Sequence, residues 1–318
     1  MRVNIVMYHY VRDLGRSRYP GIKGLDASLF RRQIDFLRSH FTMIRMEDLL
    51  FALDGGELPD NAALLTFDDG YIDHYTTVFP ILDEIGAQGS FFPPSTILEN
   101  AQVLDVNKIH FIMASGEVGK IYESLIKAID EHRGMEYPIP DTHILLNDYA
   151  KPNRFDSGEI IFIKRMLQTV LPERLRKIII DKLFRQCIGI IDEAVFAREL
   201  YCDVKQLAAM KKHGMYIGLH GSAHDWLGYM EKDEYEHDIR HALEYMDSIG
   251  LIDKKAWVMN YPYGSYNDGV VAYVKANGCL AGLTTTVAIA DTLTDDKLKL
   301  PRLDTNDYPP KSEEYKKY

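Results

Sequence analysis

The chain has 318 residues, of which 46% are apolar and 26% are charged, and its formal net charge is −10. These values are ordinary for a globular protein and exclude a disordered chain, a collagen-like repeat and a coiled coil. A net negative charge repels phosphate backbones, so we expect no nucleic-acid partner. Because a single α/β barrel takes roughly 250 residues, a one-domain interpretation leaves several dozen residues to be assigned.

Nothing in the sequence indicates export or a membrane span. The start, MRVNIVMYHYV, is too short and too polar for a signal peptide. No stretch approaches the ~18 consecutive apolar residues of a transmembrane helix. The three cysteines are too few and too scattered for a disulfide framework or a thiolate metal site, and we expect buried free thiols at Cys187, Cys202 and Cys279. We therefore expect a cytoplasmic protein without a membrane-spanning segment.

A basic stretch near residue 180 allows two interpretations. The apolar residues Leu175, Ile179 and Leu183 recur there at helical spacing, which favours the solvated face of an amphipathic helix. The alternative is peripheral contact with a phosphate-bearing ligand or an anionic membrane surface. The basic side chains are Arg174, Arg176, Lys177, Lys182 and Arg185.

Strand and helix patterns alternate along most of the chain. Four apolar runs predict strands, at residues 3–9, 62–69, 216–220 and 256–261. Between them, apolar side chains at helical spacing near residues 30–37 and 78–85 predict amphipathic helices. This alternation is typical of an α/β fold with a parallel sheet or barrel.

The segment from about residue 100 to residue 200 breaks the alternation, because its pattern is mostly helical. We therefore predict a single barrel-like domain, residues 1–318, with a helical insertion at residues 100–200. In parallel α/β folds the reactive groups collect at the carboxyl ends of the strands. The most distinctive polar motifs of this chain follow predicted strands, which indicates one shared site.

The first motif is Thr66-Phe67-Asp68-Asp69-Gly70, at the end of an apolar run. Consecutive strand side chains point to opposite faces, so two adjacent aspartates share a site only where the strand ends. Held close, one carboxylate can bind a metal while the other acts as a base. The alternative is a helix N-cap, for which Asp is a preferred residue.

The second motif is His220-Gly221-Ser222-Ala223-His224. Two histidines at this spacing can lie on one side of a helical turn and chelate a metal. Together with Asp69 they would form a set of two histidines and one carboxylate, which is the pattern of a catalytic zinc site or a non-haem iron site. The alternative is a pair of polar surface histidines.

The third motif is Asn260-Tyr261-Pro262-Tyr263-Gly264, a turn after another apolar run. It can offer backbone N–H groups to an oxyanion. Taken alone, it is also an ordinary turn built on Pro and Gly.

Together these three motifs resemble those of the polysaccharide deacetylases, the family 4 carbohydrate esterases that share a NodB-like domain. The TFDDG stretch matches the first family motif, and the YPYG turn matches the third. The HGSAH stretch matches the second motif, except that Gly221 stands where Ser or Thr is usual. The resemblance covers roughly residues 1–98 and 200–308.

Two further stretches are similar to the branch that includes the poly-N-acetylglucosamine deacetylases. They are Met7-Tyr8-His9 and Pro301-Arg302-Leu303-Asp304. The resemblance implies a distorted TIM-like (β/α) barrel of the NodB-homology type and a divalent metal. Zinc is the expected metal, and iron, cobalt and nickel suit the same ligand types.

The resemblance also implies a role for each motif residue. It assigns Asp69, His220 and His224 as metal ligands and Asp68 as the general base, and it places the backbone N–H of Tyr263 in the oxyanion hole. The chemistry is coherent, because a metal polarises the amide carbonyl and acidifies water while the base accepts the proton.

Two departures from the family pattern concern the base and the acid. Asn260 stands where the third motif usually carries an Arg that orients the base, and we expect Arg302 to supply the guanidinium instead. The family's late Leu-x-x-His motif, which supplies the general acid, has no counterpart, since no histidine follows His241.

The candidate proton donor is therefore His9, at the end of the first predicted strand. The alternative is that His9 only packs beside the site. His74 and His110 are weaker candidates, each with a possible place in the lining of a substrate pocket.

These observations predict a metal-dependent N-deacetylase that acts on an N-acylated amino sugar. With a cytoplasmic location, the expected substrate is a nucleotide sugar, a glycan precursor or a lipid-linked intermediate. One alternative is a deformylase or another amidohydrolase that cleaves a C–N bond on a sugar. The other is a catalytically silent metal- or sugar-binding protein, suggested by the missing late histidine.

Overall fold

The computed structural model describes residues 1–134, 136–152, 156–189 and 192–318. The chain forms two compact units. We call the first the barrel unit, which consists of Met1–Asp13, Gly24–Gln102 and Ala197–Tyr318. The second, the helical unit, consists of Leu14–Lys23 and Val103–Phe196.

Eleven strands and thirteen α-helices lie within the described residues. The strands are β1 (Arg2–Tyr8), β2 (Val11–Arg12), β3 (Leu25–Asp26), β4 (Thr42–Met43), β5 (Ala62–Asp68), β6 (Gly89–Phe92), β7 (Tyr216–Ile217), β8 (Trp257–Asn260), β9 (Cys279–Leu283), β10 (Ala290–Asp291) and β11 (Leu303–Asp304). The helices are α1 (Ala27–His40), α2 (Met46–Leu53), α3 (Phe79–Glu84), α4 (Ser95–Glu99), α5 (Asp105–Ala114), α6 (Val118–His132), α7 (Thr142–Tyr149), α8 (Gly158–Arg165), α9 (Glu173–Ile188), α10 (Glu193–Leu200), α11 (Val204–Lys212), α12 (Lys232–Ser248) and α13 (Asp268–Ala276).

Parallel pairings run right round the barrel unit. β1 pairs with β5, β5 with β6, and β6 with β7, all in parallel. A parallel bridge between Leu219 and Met259 continues from β7 to β8, and β8 pairs with β9. A second parallel bridge joins Leu283 to Leu300, and β11, three residues further on, pairs with β1. The α/β fold with a mostly parallel sheet is thus confirmed, and several of its barrel pairings are short.

The alternation along β5 divides its side chains between two layers. All seven residues of β5 are buried, as expected for a parallel strand covered on both faces. Leu65 and Phe67 pack in the cluster that contains the buried face of α1. Ala62 and Leu64 pack instead with apolar residues of β1, β8 and β9. Because every second residue of a strand lies on the same face, Thr66 and Asp68 share the face of Ala62 and Leu64. The Asp68 carboxyl therefore lies on that face at the carboxyl end of β5.

The helical unit has its own core. α5 packs on α9, and α6 packs on α8 and α9. Leu175, Ile179 and Leu183 of α9 are fully buried, as the amphipathic pattern predicts. The basic side chains on its other face include three that pair with glutamates: Lys177 with Glu173, Lys182 with Glu131 and Arg174 with Glu136.

A buried lysine links three elements of the helical unit. Lys108 of α5 is 5% exposed. Its Nζ lies 2.6 Å from Asp181 Oδ1 and 3.0 Å from Glu193 Oε1. Burial opposes the charged form of Lys108, but the two carboxylates outweigh it and raise the pKa of the lysine.

The cysteines and the helix lengths agree with the sequence pattern. Cys187, Cys202 and Cys279 are free thiols, the first partly buried and the other two buried. Among the described residues, none of the helices combines the length and the apolar composition that crossing a membrane requires.

Candidate metal centre and active site

The buried polar groups of the barrel unit collect where strands end. β5 ends at Asp68, and Asp69 leaves the strand with φ of 72°. This left-handed conformation is unusual for a residue with a side chain. It allows Asp69 to turn away from the strand alternation, so that both carboxylates stay on one side of the sheet edge.

Asp69, His220 and His224 form a compact set of potential ligands. One ligand atom from each residue lies within 4.8 Å of the other two, and all three residues are buried. Asp69 Oδ1 is 3.3 Å from His220 Nε2 and 3.2 Å from His224 Nε2. A tetrahedral ion about 2.1 Å from each donor would keep the donors about 3.4 Å apart. The observed separations therefore suit a small divalent cation.

The hydrogen bonds around this set leave the donor atoms available. Asp69 Oδ1 is buried and has no hydrogen-bond partner among the described residues. His220 Nδ1 lies 2.6 Å from the backbone carbonyl oxygen of Asn260. A proton on Nδ1 donates to that oxygen and leaves the Nε2 lone pair facing Asp69, which is how metal-binding histidines are commonly oriented. An orphaned carboxylate oxygen beside two imidazole nitrogens fits a bound cation.

The second Asp69 oxygen has a fixed partner. The Tyr71 hydroxyl donates a hydrogen bond to Asp69 Oδ2. Burial opposes ionisation of Asp69, but the protonated forms of His224 and His220 outweigh it when no cation is bound and hold the pKa of the carboxyl well below its ordinary value. A bound cation would replace those protons and stabilise the same carboxylate. Asp69 is therefore a carboxylate at neutral pH, as a metal ligand must be.

The conformation of the histidine motif differs from the prediction. Residues 220–224 do not form a helical turn, and His224 adopts φ of 60°. The two histidines are not brought together by a helical turn, because a buried carboxylate gives the loop another shape. Asp238 accepts hydrogen bonds from the backbone N–H groups of Ser222 and Ala223.

Gly221, which stands at the usual Ser or Thr position, belongs to the same loop. It adopts φ of 68°, and a Cβ there would lie 2.9 Å from Asp238 Oδ1. A side chain at this position would therefore be strained and would crowd the carboxylate that organises the loop.

Asp68 is paired with Arg302. The two carboxylate oxygens of Asp68 each lie 2.8 Å from a guanidinium nitrogen of Arg302, in a bidentate arrangement. Arg302 is 1% exposed and also donates to the Thr284 carbonyl and the Thr66 hydroxyl. Burial disfavours the carboxylate form of Asp68, but Arg302 and His9 outweigh it and hold the pKa of Asp68 below its ordinary value.

His9 lies on the outer side of the same carboxylate. Its Nε2 is 3.8 Å from Asp68 Oδ2, and its side chain is 40% exposed. The backbone carbonyl of His9 lies 3.0 Å from His74 Nε2. Burial of His74 lowers the pKa of that imidazole to about 4, so His74 is neutral at physiological pH. His110 lies on α5 of the helical unit.

Tyr263 lies in the turn that follows β8. It adopts φ of 57°, so the backbone is in the left-handed region at Asp69, His224 and Tyr263. Strained residues of this kind cluster at functional sites. The Tyr263 ring packs against the His224 ring at a centroid distance of 4.5 Å and stacks on Trp226 at 4.1 Å.

The structure thus brings together Asp68, Arg302 and His9 around one carboxylate, and Asp69, His220 and His224 around another. Sequence reasoning missed Tyr71, Asp238 and the carbonyl of Asn260, which help to hold this arrangement, and it considered His74 only as a weaker proton donor or as part of the pocket lining. The Asn260 side chain, at the position where the family usually has Arg, is buried and has no hydrogen-bond partner among the described residues. The proximity of Tyr71 to the DDG motif was a usable signal, whereas the other contacts depend on tertiary structure.

A parallel α/β barrel with an Asp/His/His set and a second carboxylate at its strand ends is the arrangement that the resemblance to the NodB-like polysaccharide deacetylases implies. The sequence profile of the polysaccharide deacetylase family matches residues 189–282, which include both histidines and the YPYG turn. The resemblance to the polysaccharide deacetylases is therefore confirmed. A search of curated protein sequences finds no match to the chain.

Solved structures share the fold across nearly the whole chain. The deacetylase PplD of Streptococcus pyogenes, in complex with acetate, superposes with a TM-score of 0.59 at 18% identity, covering 99% of this chain and 96% of PplD. A de-N-acetylase from Aggregatibacter actinomycetemcomitans gives 0.56 at 17% identity, with 95% and 94% covered. IcaB from Ammonifex degensii gives 0.54 at 16% identity, with 96% and 91% covered.

Proposed function

We propose that the protein is a metal-dependent hydrolase that removes the N-acetyl group from an amino sugar of a glycan or a glycan precursor. The observation that carries the proposal is that two adjacent carboxylates have different hydrogen-bond partners. Among the described residues, Asp69 Oδ1 has no hydrogen-bond partner and faces two imidazole nitrogens, whereas Asp68 is held by Arg302. The match to the polysaccharide deacetylase profile supports the reaction class.

Asp69, His220 and His224 would hold the metal ion. Two imidazoles and one carboxylate suit zinc first, with iron, cobalt or nickel as alternatives. Bound there, the ion would polarise the amide carbonyl and acidify a water molecule. The Asn260 carbonyl orients His220, and the Tyr71 hydroxyl orients Asp69.

Asp68 would act as the general base. Its carboxylate accepts a proton from the attacking water as the oxygen of that water bonds to the amide carbon. The bidentate contact with Arg302 fixes the carboxylate plane, because the guanidinium is itself held by Thr284 and Thr66. Arg302 thereby performs the orienting task for which Asn260 is too short.

Tyr263 would act on the oxygen of the amide that is cleaved, and His9 would act on its nitrogen. The backbone N–H of Tyr263 stabilises the negative oxygen of the tetrahedral intermediate. His9 Nε2 delivers a proton to the departing nitrogen as the C–N bond breaks. The products are acetate and the free amine of the sugar, so one water is consumed for each acetyl group released.

The proposal is tested by measuring the release of acetate and of free amine from N-acetylated sugars. We expect equal amounts of the two products, loss of activity after chelation and recovery on adding Zn²⁺, Fe²⁺, Co²⁺ or Ni²⁺. Formate release from N-formyl sugars in preference to acetate release would favour the deformylase alternative. Retention of metal with no acyl release from any sugar would contradict the proposed function.

A further inference from the structure

A continuous set of ring contacts leads from the candidate metal centre to the protein surface. Beyond His224 and Tyr263, the Trp226 ring lies parallel to that of Tyr263, with 5° between the planes. Tyr229 then packs against Trp226 at a centroid distance of 6.0 Å and is 84% exposed. The proposed chemistry uses only the backbone of Tyr263, so it leaves Trp226 and Tyr229 without a role.

The loop that carries these two rings is held in place. The backbone N–H of Tyr229 donates to the Trp226 carbonyl at 2.9 Å. Between them, Gly228 donates its N–H to Ser265 Oγ, and its carbonyl accepts from Asn267 Nδ2, each at 3.0 Å. Because the backbone is already ordered, little conformational entropy is lost when a ligand stacks on the rings.

The chemistry of this loop favours a sugar ring over other flat or apolar partners. An aromatic face attracts C–H groups, so it can pack against the C–H face of a pyranose while the hydroxyl groups stay in water. Tyr and Trp also offer a large contact area at low entropic cost. A protein partner usually requires a contiguous apolar patch of a few hundred Å², whereas here Trp226 is only partly exposed.

The charges beside the rings argue against an anionic membrane surface. Interfacial segments combine aromatic rings with Lys or Arg. The loop sequence from Asp225 to Glu231 is DWLGYME, and the next three residues are Lys232, Asp233 and Glu234, so this stretch contains four acidic residues and one basic residue. A neutral ligand that adjoins the candidate metal centre therefore fits this loop best.

We propose that Trp226 and Tyr229 form a subsite for a pyranose ring that is linked to the sugar undergoing deacetylation. This inference rests on the proposed function, because it takes the N-acetyl group to lie at the Asp69, His220 and His224 set. It narrows the substrate to a chain of at least two linked sugars, in preference to a single N-acetylated sugar.

The fluorescence of Trp226 gives a test that does not depend on catalysis. The chain has two tryptophans, and the other, Trp257, is fully buried with its Nε1 bonded to the Asn277 carbonyl. The probes are N-acetylglucosamine and its tetrasaccharides, one β-1,4-linked and one β-1,6-linked. We expect a tetrasaccharide to shift the emission and to bind about tenfold more tightly than the monosaccharide, which corresponds to about 1.4 kcal/mol.

Tyr229→Ala is the diagnostic variant, because Tyr229 lies at the exposed end of the run. It should remove most of the preference for the tetrasaccharide, whereas Phe51→Ala, at another exposed aromatic residue, should leave it unchanged. Equal affinities for monosaccharide and tetrasaccharides, or no response to any of these sugars, would overturn the subsite. A response to phosphatidylglycerol vesicles but not to sugars would overturn it in favour of a membrane surface.

Acetate release separates this proposal from the proposed function. If a tetrasaccharide binds through Tyr229 but no sugar is deacetylated, the proposed function fails and the subsite stands. If monosaccharide and tetrasaccharide are deacetylated with equal kcat/KM, and Trp226→Ala lowers both equally, the subsite fails and the proposed function stands.

Discussion

Two charged clusters, one in each unit, each contain buried groups and differ in how completely those buried groups are paired. In the helical unit, Lys108 lies between Asp181 and Glu193 at hydrogen-bond distances. In the barrel unit, Asp69 Oδ1 and His224 Nδ1 are buried without hydrogen-bond partners among the described residues. Buried polar groups are normally paired, so the barrel cluster needs an explanation that the helical cluster does not.

The two clusters also differ in the backbone conformation of their residues. Asp69 and His224 adopt positive φ, whereas Lys108, Asp181 and Glu193 lie within helices. Strain and unpaired atoms both lower stability, and they persist where a bound group or a function compensates. Burial and charge alone therefore do not distinguish a functional site from a structural ion pair, whereas unpaired buried polar atoms together with strained backbone do.

We predict two effects on the unfolding free energy, one from His74 and one from Lys108, and the effect of His74 is the larger. His74 has a pKa of about 4 in the fold, against about 6.5 for an unperturbed histidine. Since the folded pKa is the lower one, the stabilisation is complete above about pH 6.5 and is lost as the pH falls towards 4. The unfolding free energy of the wild type should therefore decrease by about 2 kcal/mol more than that of His74→Gln between pH 7 and pH 5.

Urea unfolding of both proteins at the two pH values checks this prediction. Gln keeps an N–H that can donate to the His9 carbonyl but does not titrate, which makes it the matched variant. The same pH dependence in both proteins would show that burial does not hold His74 neutral. The barrel unit would then no longer differ from the helical unit, whose buried Lys108 is charged, in burying a neutral titratable group.

Lys108→Met should have a smaller effect, confined to stability. The change keeps most of the apolar stem but leaves Asp181 and Glu193 without their cation. Because these carboxylates are 40% and 32% exposed, water compensates in part, and we expect a loss of about 1–2 kcal/mol in the unfolding free energy. The stabilisation by Lys108 should persist below pH 10.5 and disappear as the pH rises through its raised pKa.

Metal content and kcat of the folded Lys108→Met protein should equal those of the wild type. Urea unfolding measures the unfolding free energy, metal analysis measures the bound metal, and an acetate-release assay measures kcat. Loss of bound metal in a folded Lys108→Met protein would show that the Lys108 cluster is not purely structural and that it affects the Asp69, His220 and His224 set.

The fold and the candidate site were predictable from the sequence to different degrees. The alternation in AALLTFD and the position of DDG after it indicate a buried strand whose end carries two carboxylates, as β5 shows. The motif order also indicates the class of fold. Local pattern suffices here because strand periodicity and strand ends are themselves local properties.

The rest required tertiary structure. The contact between His74 and the His9 carbonyl joins residues 65 positions apart, and the contact of Asp238 with the histidine loop joins α12 to the loop that follows β7. The presence of Leu14–Lys23 in the helical unit likewise has no signal in local periodicity. The i, i+4 spacing of the two histidines in HGSAH is compatible with a helical turn, whereas the hydrogen bonds to Asp238 give the loop another path.

The most direct test of the account compares metal content and acetate release in Asp69→Ala and Asp68→Asn. Asp69→Ala removes a proposed ligand, so it should lose the metal and lower turnover by at least about 10³-fold. Asp68→Asn should keep a full equivalent of metal and lower turnover by about 10²–10⁴-fold, because only the proposed base is lost. Asp69→Ala with wild-type metal content and activity would show that Asp69 is not a metal ligand and that the two adjacent aspartates do not have the different tasks proposed for them.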